Sequence, residues 1–366
     1  MVTGRAAADP PWRVHVILLN WNNWRETLEC LDSLAKSDYQ AFCAVVVDNG
    51  SADDSRERIA DWARTAGPGG SPLRVVEYER PLAEQGGVPE AEHELAALPG
   101  ARKLVLIRVG ENLGFAGGCN LAIRYALATG SDAIWLLNND TVVEPTALGA
   151  TVAFLRAHPE YEGLTGQIRL YAEPDVIWNC GGRLTWWGSR RYFHADRPAA
   201  EVPRHGHRDI TFITGCAPVF RASFFEREGL LSDRFFYGED DYELSLRLRR
   251  RRLRVACLYD AVIYHKVSRT MGVAWRGRAL AMLYIYYLDR FIDLREYWPR
   301  PLWLVWRLAT LVHIVPLAHL QHRVSWADAW RLWRAILRDS ARFDGVSKAT
   351  FELALSASFA AEVLGR

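Results

Sequence analysis

From residue 14 the chain alternates short apolar runs with segments of helical periodicity: VHVILLN, Trp24 to Ser37, CAVVVDN, Asp54 to Ala66, then LRVVEYE. A short apolar run followed by a 3.6-period segment, repeated, admits few architectures and predicts a βαβαβ start. The runs are almost unbroken Val, Ile and Leu, as strands covered on both faces by helices must be, so a doubly wound α/β sheet is expected. Residues 79–102, rich in Pro, Gly, Glu and Ala, interrupt the rhythm and read as a surface insertion before LVLIRV resumes it. A glycine-rich turn, a helix over Ala116 to Thr129 and the strand AIWLLN follow, then a helix from Pro145 to His158. Residues 163–220 mix aromatic strand-like pieces with turns and predict antiparallel strands. From Met271 the pattern is helical, broken at Pro299, Pro301 and Pro316, so the chain divides into residues 1–270 and a helical region 271–366.

Charge narrows the function classes. With 45 Lys and Arg against 43 Asp and Glu, the net charge of +2 and 50% hydrophobic content exclude a disordered polyelectrolyte and argue against nucleic acid as a partner. The six Cys contain no Cys-x-x-Cys pair, which removes zinc-knuckle and thioredoxin-like readings. The first residues, MVTGRAAADPPW, lack the apolar stretch of a secretory signal, so a cytosol-facing protein is expected.

In open α/β sheets ligands bind at the carboxyl ends of strands, and four polar clusters stand there. Asn20-Trp21-Asn22, Asp48-Asn49-Gly50-Ser51, Gly110 to Gly118 and Asn138-Asn139-Asp140 each follow an apolar run. Any one of them could be only a turn or helix cap; four in succession point to a site. Gly114, Gly117 and Gly118 open a helix whose free N–H groups suit a phosphate, though the spacing is neither a dinucleotide fingerprint nor a P-loop. Asp140 offers a hard oxygen to Mg²⁺ or Mn²⁺ on a diphosphate, and His265, ending the run AVIYH, could complete the metal site. Glu239, Asp240 and Asp241 adjoin Glu243 at a helix start, and adjacent carboxylates repel unless a cation or a proton compensates. A solvated helix N-terminus is the plainer reading of that cluster, and an exposed helix face that of the Arg247 to Arg254 run.

Taken in order, VILLNWNN, VVVDNGSADDS, GENLGFAGGCN, WLLNNDTVVEP, GCAPVFRA, YGEDDYELSLRLRRRRLRV and YDAVIYHK resemble a bacterial family 2 glycosyltransferase of GT-A fold over about residues 13–270. The branch it resembles most is the rhamnosyltransferase and galactofuranosyltransferase-like one. The resemblance implies a Rossmann-like mixed sheet with a helical C-terminal extension. It also implies that Asn20, Asn22, Asp48 and Asn49 hold the nucleotide base, and that Asn112, Gly114, Gly117 and Asn120 line the ribose and diphosphate. Asn138, Asn139 and Glu239 complete the nucleotide-sugar contacts. Asp140 matches the last position of the family's Asp-x-Asp metal motif, whose first position is Asn138 here. Asp240-Asp241-Tyr242-Glu243 through Arg247 then nominates Asp241 as catalytic base, with Asp240 second, and His265 as a metal ligand.

The activity this implies is inverting, Mn²⁺- or Mg²⁺-dependent transfer of rhamnose or another hexose. The donor would be a UDP- or dTDP-linked sugar, and the acceptor a hydroxyl of a glycan or polyprenyl-linked glycan in surface polysaccharide synthesis. A catalytically idle carbohydrate-binding scaffold is the alternative that Asn138 raises. In residues 290–342 nine Arg face four acids, and seven of the 15 Trp (Trp275, Trp298, Trp303, Trp306, Trp326, Trp330, Trp333) lie in the last quarter. PLWLVWRLATLVHIVPLAHL could be a buried helical core, a membrane span or an interfacial segment. The expected partners of this region are a membrane surface, on the inner face of the plasma membrane, or a second copy in a homodimer.

Overall fold

The computed structural model describes residues 10–267, 279–356 and 358–362. Strands β1 (Val14–Asn20), β2 (Phe42–Asp48), β3 (Arg74–Glu79), β4 (Lys103–Arg108) and β5 (Ala133–Asn138) alternate with helices α1 (Trp24–Ala35), α2 (Ser55–Thr65), α3 (Arg80–Glu84), α4 (Pro89–Ala97) and α5 (Gly114–Ala128). Next come β6 (Thr141–Val143), α6 (Ala147–Ala157), β7 (Tyr161–Leu170), β8 (Ile177–Asn179), β9 (Gly182–Leu184), β10 (Arg190–Tyr192), β11 (His207–Ile210), β12 (Val219–Arg221), α7 (Ala222–Glu228), α8 (Asp240–Arg251) and β13 (Arg254–His265). The C-terminal helices are α9 (Ala279–Tyr297), α10 (Arg300–Ala309), α11 (Leu311–His322), α12 (Trp326–Asp339), α13 (Lys348–Leu355) and α14 (Phe359–Glu362).

The main sheet runs β11-β13-β7-β12-β5-β1-β2-β4-β3, with β6 on β13 and β8 on β7. Its first half is parallel, while β12 lies antiparallel to both β5 and β7 and makes the sheet mixed. Alternate residues of the apolar strands feed two cores. Val14, Val16, Leu18 and Val46 face one side of the sheet, and Ile17, Val45, Val47 and Ile107 face the other.

Residues 79–102 are not an insertion. β3 and β4 pair in parallel, which demands a crossover connection, and α3 with α4 supplies it. Only Ala83 and Leu95 of that stretch are buried apolar residues, so its composition hid its helical nature; the buried Lys103 Nζ donates to the Leu95 and Leu98 carbonyls. Pro299 and Pro301 mark the start of α10 as expected, but Pro316 lies inside α11 and the break falls at Thr310.

The dividing point near residue 270, and Trp275, lie outside the described residues. A third apolar cluster unites Leu184, Phe212, Tyr242 and Leu246 with Leu288, Phe291, Trp303, Trp306 and Trp333. The C-terminal helices therefore share a core with the sheet-bearing body.

Candidate active site

Parallel register places Asn20 beside Asp48, Asp48 beside Arg108, and Leu19 beside Asn138. The carboxyl ends of β1, β2, β4 and β5 thus finish along one edge, where polar side chains need not enter the core. Asp48 is buried there. Its Oδ1 accepts from Asn20 Nδ2 at 3.2 Å and Ser51 Oγ at 2.6 Å, while its Oδ2 has a longer contact from Ser51 N at 3.4 Å.

Several sequence candidates spend their polar atoms inside the protein. The Asn20 carboxamide also bonds Ser51 Oγ and accepts from Thr27 Oγ1 at 2.9 Å. Asn22, with φ of 51°, accepts from Ala52 N and Asp53 N. Asn49 accepts from Leu113 N and donates to Asn112 Oδ1 and the Gly114 carbonyl, while Asn112 Oδ1 also accepts from Gly114 N. Asn120 is buried and clamps the Leu231 backbone from both sides at 2.9 Å. Asn139 donates to Thr27 Oγ1 at 2.9 Å. These residues hold the strand-end loops in place with part of their hydrogen-bonding capacity, Asn22 and Asn112 through Oδ1 and Asn139 through Nδ2.

Gly114 begins α5 at φ 76°, where a Cβ would stand 2.3 Å from the Phe236 carbonyl oxygen. At Gly117 a Cβ would approach Leu113 Cβ to 2.9 Å. The glycines let the first turn of α5 sit against the β2 end and the chain before α8.

Asp140 and His265 meet at the far side of this edge. The β6–β13 pairing sets His265 beside Thr141, and His265 Nε2 lies 3.1 Å from Asp140 Oδ1 with both residues buried. Two neighbouring ligands of an octahedral cation, each about 2.1 Å from it, stand about 3.0 Å apart, so this edge fits Mn²⁺ or Mg²⁺ with the remaining positions left to phosphate and water. No group of three or more His, Cys, Asp or Glu that could hold a metal occurs among the described residues. A cation here thus needs oxygens from a bound diphosphate. Burial opposes the His265 imidazolium, but neighbouring Cys216 and Asp140 outweigh it and push the group up to about 10, so a cation bound at Nε2 would take the place of the proton shared with Asp140. Trp178 covers the imidazole, its ring centroid 4.6 Å away.

The segment Gly215-Cys216 joins this pair to the acidic cluster. Asn138 N donates to the Cys216 carbonyl at 2.8 Å, and Gly215 N donates to Asp241 Oδ2 at 3.3 Å. Asp241 keeps 21% of its side chain exposed, whereas Asp240 is buried with Oδ1 unpartnered. Burial pushes the Asp241 carboxyl above the usual carboxylate range, with Arg190 opposing; burial and then Asp241 hold Asp240 well above it.

Glu239 does not face a ligand. Both its oxygens are taken by Arg290 of α9, through Nε and through Nη2 at 3.1 Å, and both residues are buried. Gly238 and Glu239 adopt successive left-handed conformations, at φ 75° and 65°, and the second is strained for a side-chain-bearing residue. The Arg290 pair holds that turn, where Asp240 and Asp241 start α8 and Asp241 accepts from Gly215 N. Arg190 Nη1 stands 4.0 Å from both Glu239 Oε2 and Asp241 Oδ1. Arg247 Nη2 reaches Glu243 Oε2 at 3.5 Å.

Sequence reasoning gave no role to Arg190, Arg290, Trp178 or Cys216. Only Cys216 carried a signal, by standing in GCAPVFRA. A cavity of about 560 Å³ lined by Gln167, Arg169, Asp175, Arg204 and Asp260 contains none of the candidates. The candidates line up along the strand ends, where Asp140 meets His265 and Arg190 approaches Asp241.

Residues 10–279 match the family model described as "Glycosyltransferase like family 2". No curated protein sequence matches the chain. Among solved structures it is similar to the mannosyltransferase PcManGT from Pyrobaculum calidifontis in complex with GDP-Man and Mn²⁺, at 19% identity over 96% of this chain and 81% of that one, with a TM-score of 0.51. It is also similar to GalNAc-T7 with UDP, GalNAc and Mn²⁺, at 12% identity over 82% of this chain and 55% of that one, with a TM-score of 0.51. Identities this low establish a shared fold.

Proposed function

The chain belongs to the glycosyltransferase-like family 2, and we propose that it is an inverting, metal-dependent transferase moving a hexose, rhamnose being one candidate, from a UDP- or dTDP-linked donor to a glycan or polyprenyl-linked acceptor. One observation carries the reading: Gly215-Cys216 brings the Asp140–His265 pair and the half-open Asp241 carboxylate to one edge of the sheet. Two relatives in fold are complexes with Mn²⁺ and a nucleotide or nucleotide sugar, which agrees with it.

In this reading Asp48 Oδ2 accepts the imide N–H of uracil or thymine, since Oδ1 is occupied by Asn20 and Ser51. The first turn of α5, shaped by Gly114 and Gly117, receives the diphosphate. A divalent cation on Asp140 and His265 would neutralise charge on the departing diphosphate. Asp241, held by Gly215 N, takes the proton from the acceptor hydroxyl as that oxygen bonds to the anomeric carbon. The bond from that carbon to the diphosphate oxygen breaks in the same displacement, so configuration inverts and no covalent enzyme intermediate forms. Burial raises the proton affinity of the Asp241 carboxyl, as suits a base, and Arg190 opposes that rise.

Asp241→Asn should lower transfer by about a hundred- to ten-thousandfold, the usual contribution of a general base. Thermal stabilisation by UDP or dTDP with Mn²⁺ should persist in that variant. Retained transfer would remove Asp241 from the role. Failure of every nucleotide to stabilise the wild-type protein, with or without Mn²⁺, would refute the donor assignment.

A further inference from the structure

We propose that α10, α11 and the start of α12 form a docking face for an anionic lipid bilayer, lying in its interface rather than crossing it. Arg300–Gln321 is long and apolar enough to span a membrane, yet only 33% of its apolar window is buried, so it is not a core helix. Neither is it lipid-exposed on all sides. Trp303, Trp306, Ile314 and Ala318 are buried in the C-terminal core, and Trp306 Nε1 donates to the Trp187 carbonyl at 3.0 Å. The segment is therefore one-sided, with its inner stripe committed to the protein.

The outer stripe is apolar and open. Leu302, Val305, Leu308, Val312 and Leu320 recur at helical spacing along α10 and α11 and are each at least half exposed. His319, next to Leu320, stacks on Trp326 with centroids 4.0 Å apart, which carries the stripe onto α12. There Trp326, Trp330 and Arg334 follow at four-residue intervals, all exposed. Charge selects the occupant. Between Pro299 and Arg342 the described residues expose six arginines and no acid; Arg331 and Arg338 pair with buried Asp328 and Asp339, which leaves Arg300, Arg323, Arg334 and Arg342 as the excess positive charge. An apolar stripe with exposed Trp and a net excess of arginine beside it matches the acyl boundary and anionic headgroups of a bilayer. A second copy of the same face would set arginine against arginine.

The face is also joined to the chemistry. Trp306 bonds to Trp187, Arg290 donates to the Gly188 carbonyl at 2.7 Å, and Arg190 of the same hairpin reaches Asp241. Docking would hold that hairpin beside the surface from which a lipid-linked acceptor arrives. This last link rests on the transferase reading; the docking does not.

The test is co-sedimentation of the full chain, without donor, with vesicles of phosphatidylcholine alone or containing phosphatidylglycerol. Binding to the anionic vesicles and its weakening by salt are expected. Val305→Glu/Val312→Glu and, separately, Arg323→Gln/Arg334→Gln should each reduce it about tenfold or more. All four positions are exposed, so nucleotide-induced thermal stabilisation should be unchanged; its presence or absence tests the transferase reading independently. Absence of vesicle binding, binding indifferent to both double variants, or a concentration-dependent dimer that Val305→Glu/Val312→Glu makes monomeric without any vesicle binding would each overturn the proposal.

Discussion

Arg190 shows how much of the site's chemistry depends on one unpredicted side chain. It is the cation facing Asp241 Oδ1, and it opposes the burial that raises that carboxyl. Arg190→Gln removes the opposition, so the Asp241 proton is held more tightly and the acid limb of the kcat/KM profile should move to higher pH, with a loss of about tenfold or less on the alkaline plateau. An unmoved acid limb would show that Arg190 does not position charge at the base. In the sequence Asp241, Asp140 and His265 stood out because carboxylates and a histidine at strand ends or helix starts are few. Arg190 and Arg290 did not stand out, since in a chain with 45 Lys and Arg a single arginine carries no signal until its partner is placed. The asparagines were ambiguous for the same reason. Asn20, Asn49 and Asn120 occupy the expected places, but whether a carboxamide faces a ligand or a neighbouring backbone is decided by contacts 28 to 111 residues away in sequence.

Among the elements, α5 is held tightly at its start. Its start at Gly114 combines a left-handed backbone with a Cβ position 2.3 Å from the Phe236 carbonyl. Gly114→Ala should therefore destabilise the fold by about 2–4 kcal/mol in denaturant unfolding, combining the left-handed penalty with displacement of the segment before α8. If the glycine served only the approach of a phosphate, stability would be unchanged and nucleotide affinity alone would fall. The strands β1, β2, β4 and β5 were legible because both faces are buried and every position had to be apolar. The crossover helices α3 and α4 were not, because two buried apolar side chains make no periodicity. Pro316 was misjudged as a break; on a helix with one face open, a carbonyl deprived of its partner can turn to the outside.

Across the whole molecule, the C-terminal helices supply charge to the catalytic body. Asp289 and Asp293 on α9 are buried near Glu239, and burial followed by that carboxylate holds both well above the usual range, Asp293 adding to the rise at Asp289 and Glu243 to that at Asp293. A carboxyl whose folded-state proton affinity is raised stabilises the fold below its unfolded pKa, and that stability is lost as pH rises through the folded value. Asp289→Asn cannot ionise. Its melting temperature should exceed that of the wild type by roughly 2–4 °C or more at pH 8–9, with the gap shrinking at pH 4–5. A gap independent of pH would show that Asp289 is not the group taking up the proton. Sequence alone determined the alternating sheet body, the strand-end position of the polar clusters and the basic, Trp-rich character of the C-terminal quarter. Periodicity and composition are local properties, and each of these features is written in consecutive residues. Tertiary structure alone decided which carboxylate stays open, that Glu239 belongs to Arg290, and that one face of α10 and α11 is core while the other is bare. Those outcomes depend on which distant groups compete for the same oxygen or the same apolar face, and only the folded chain brings the competitors together.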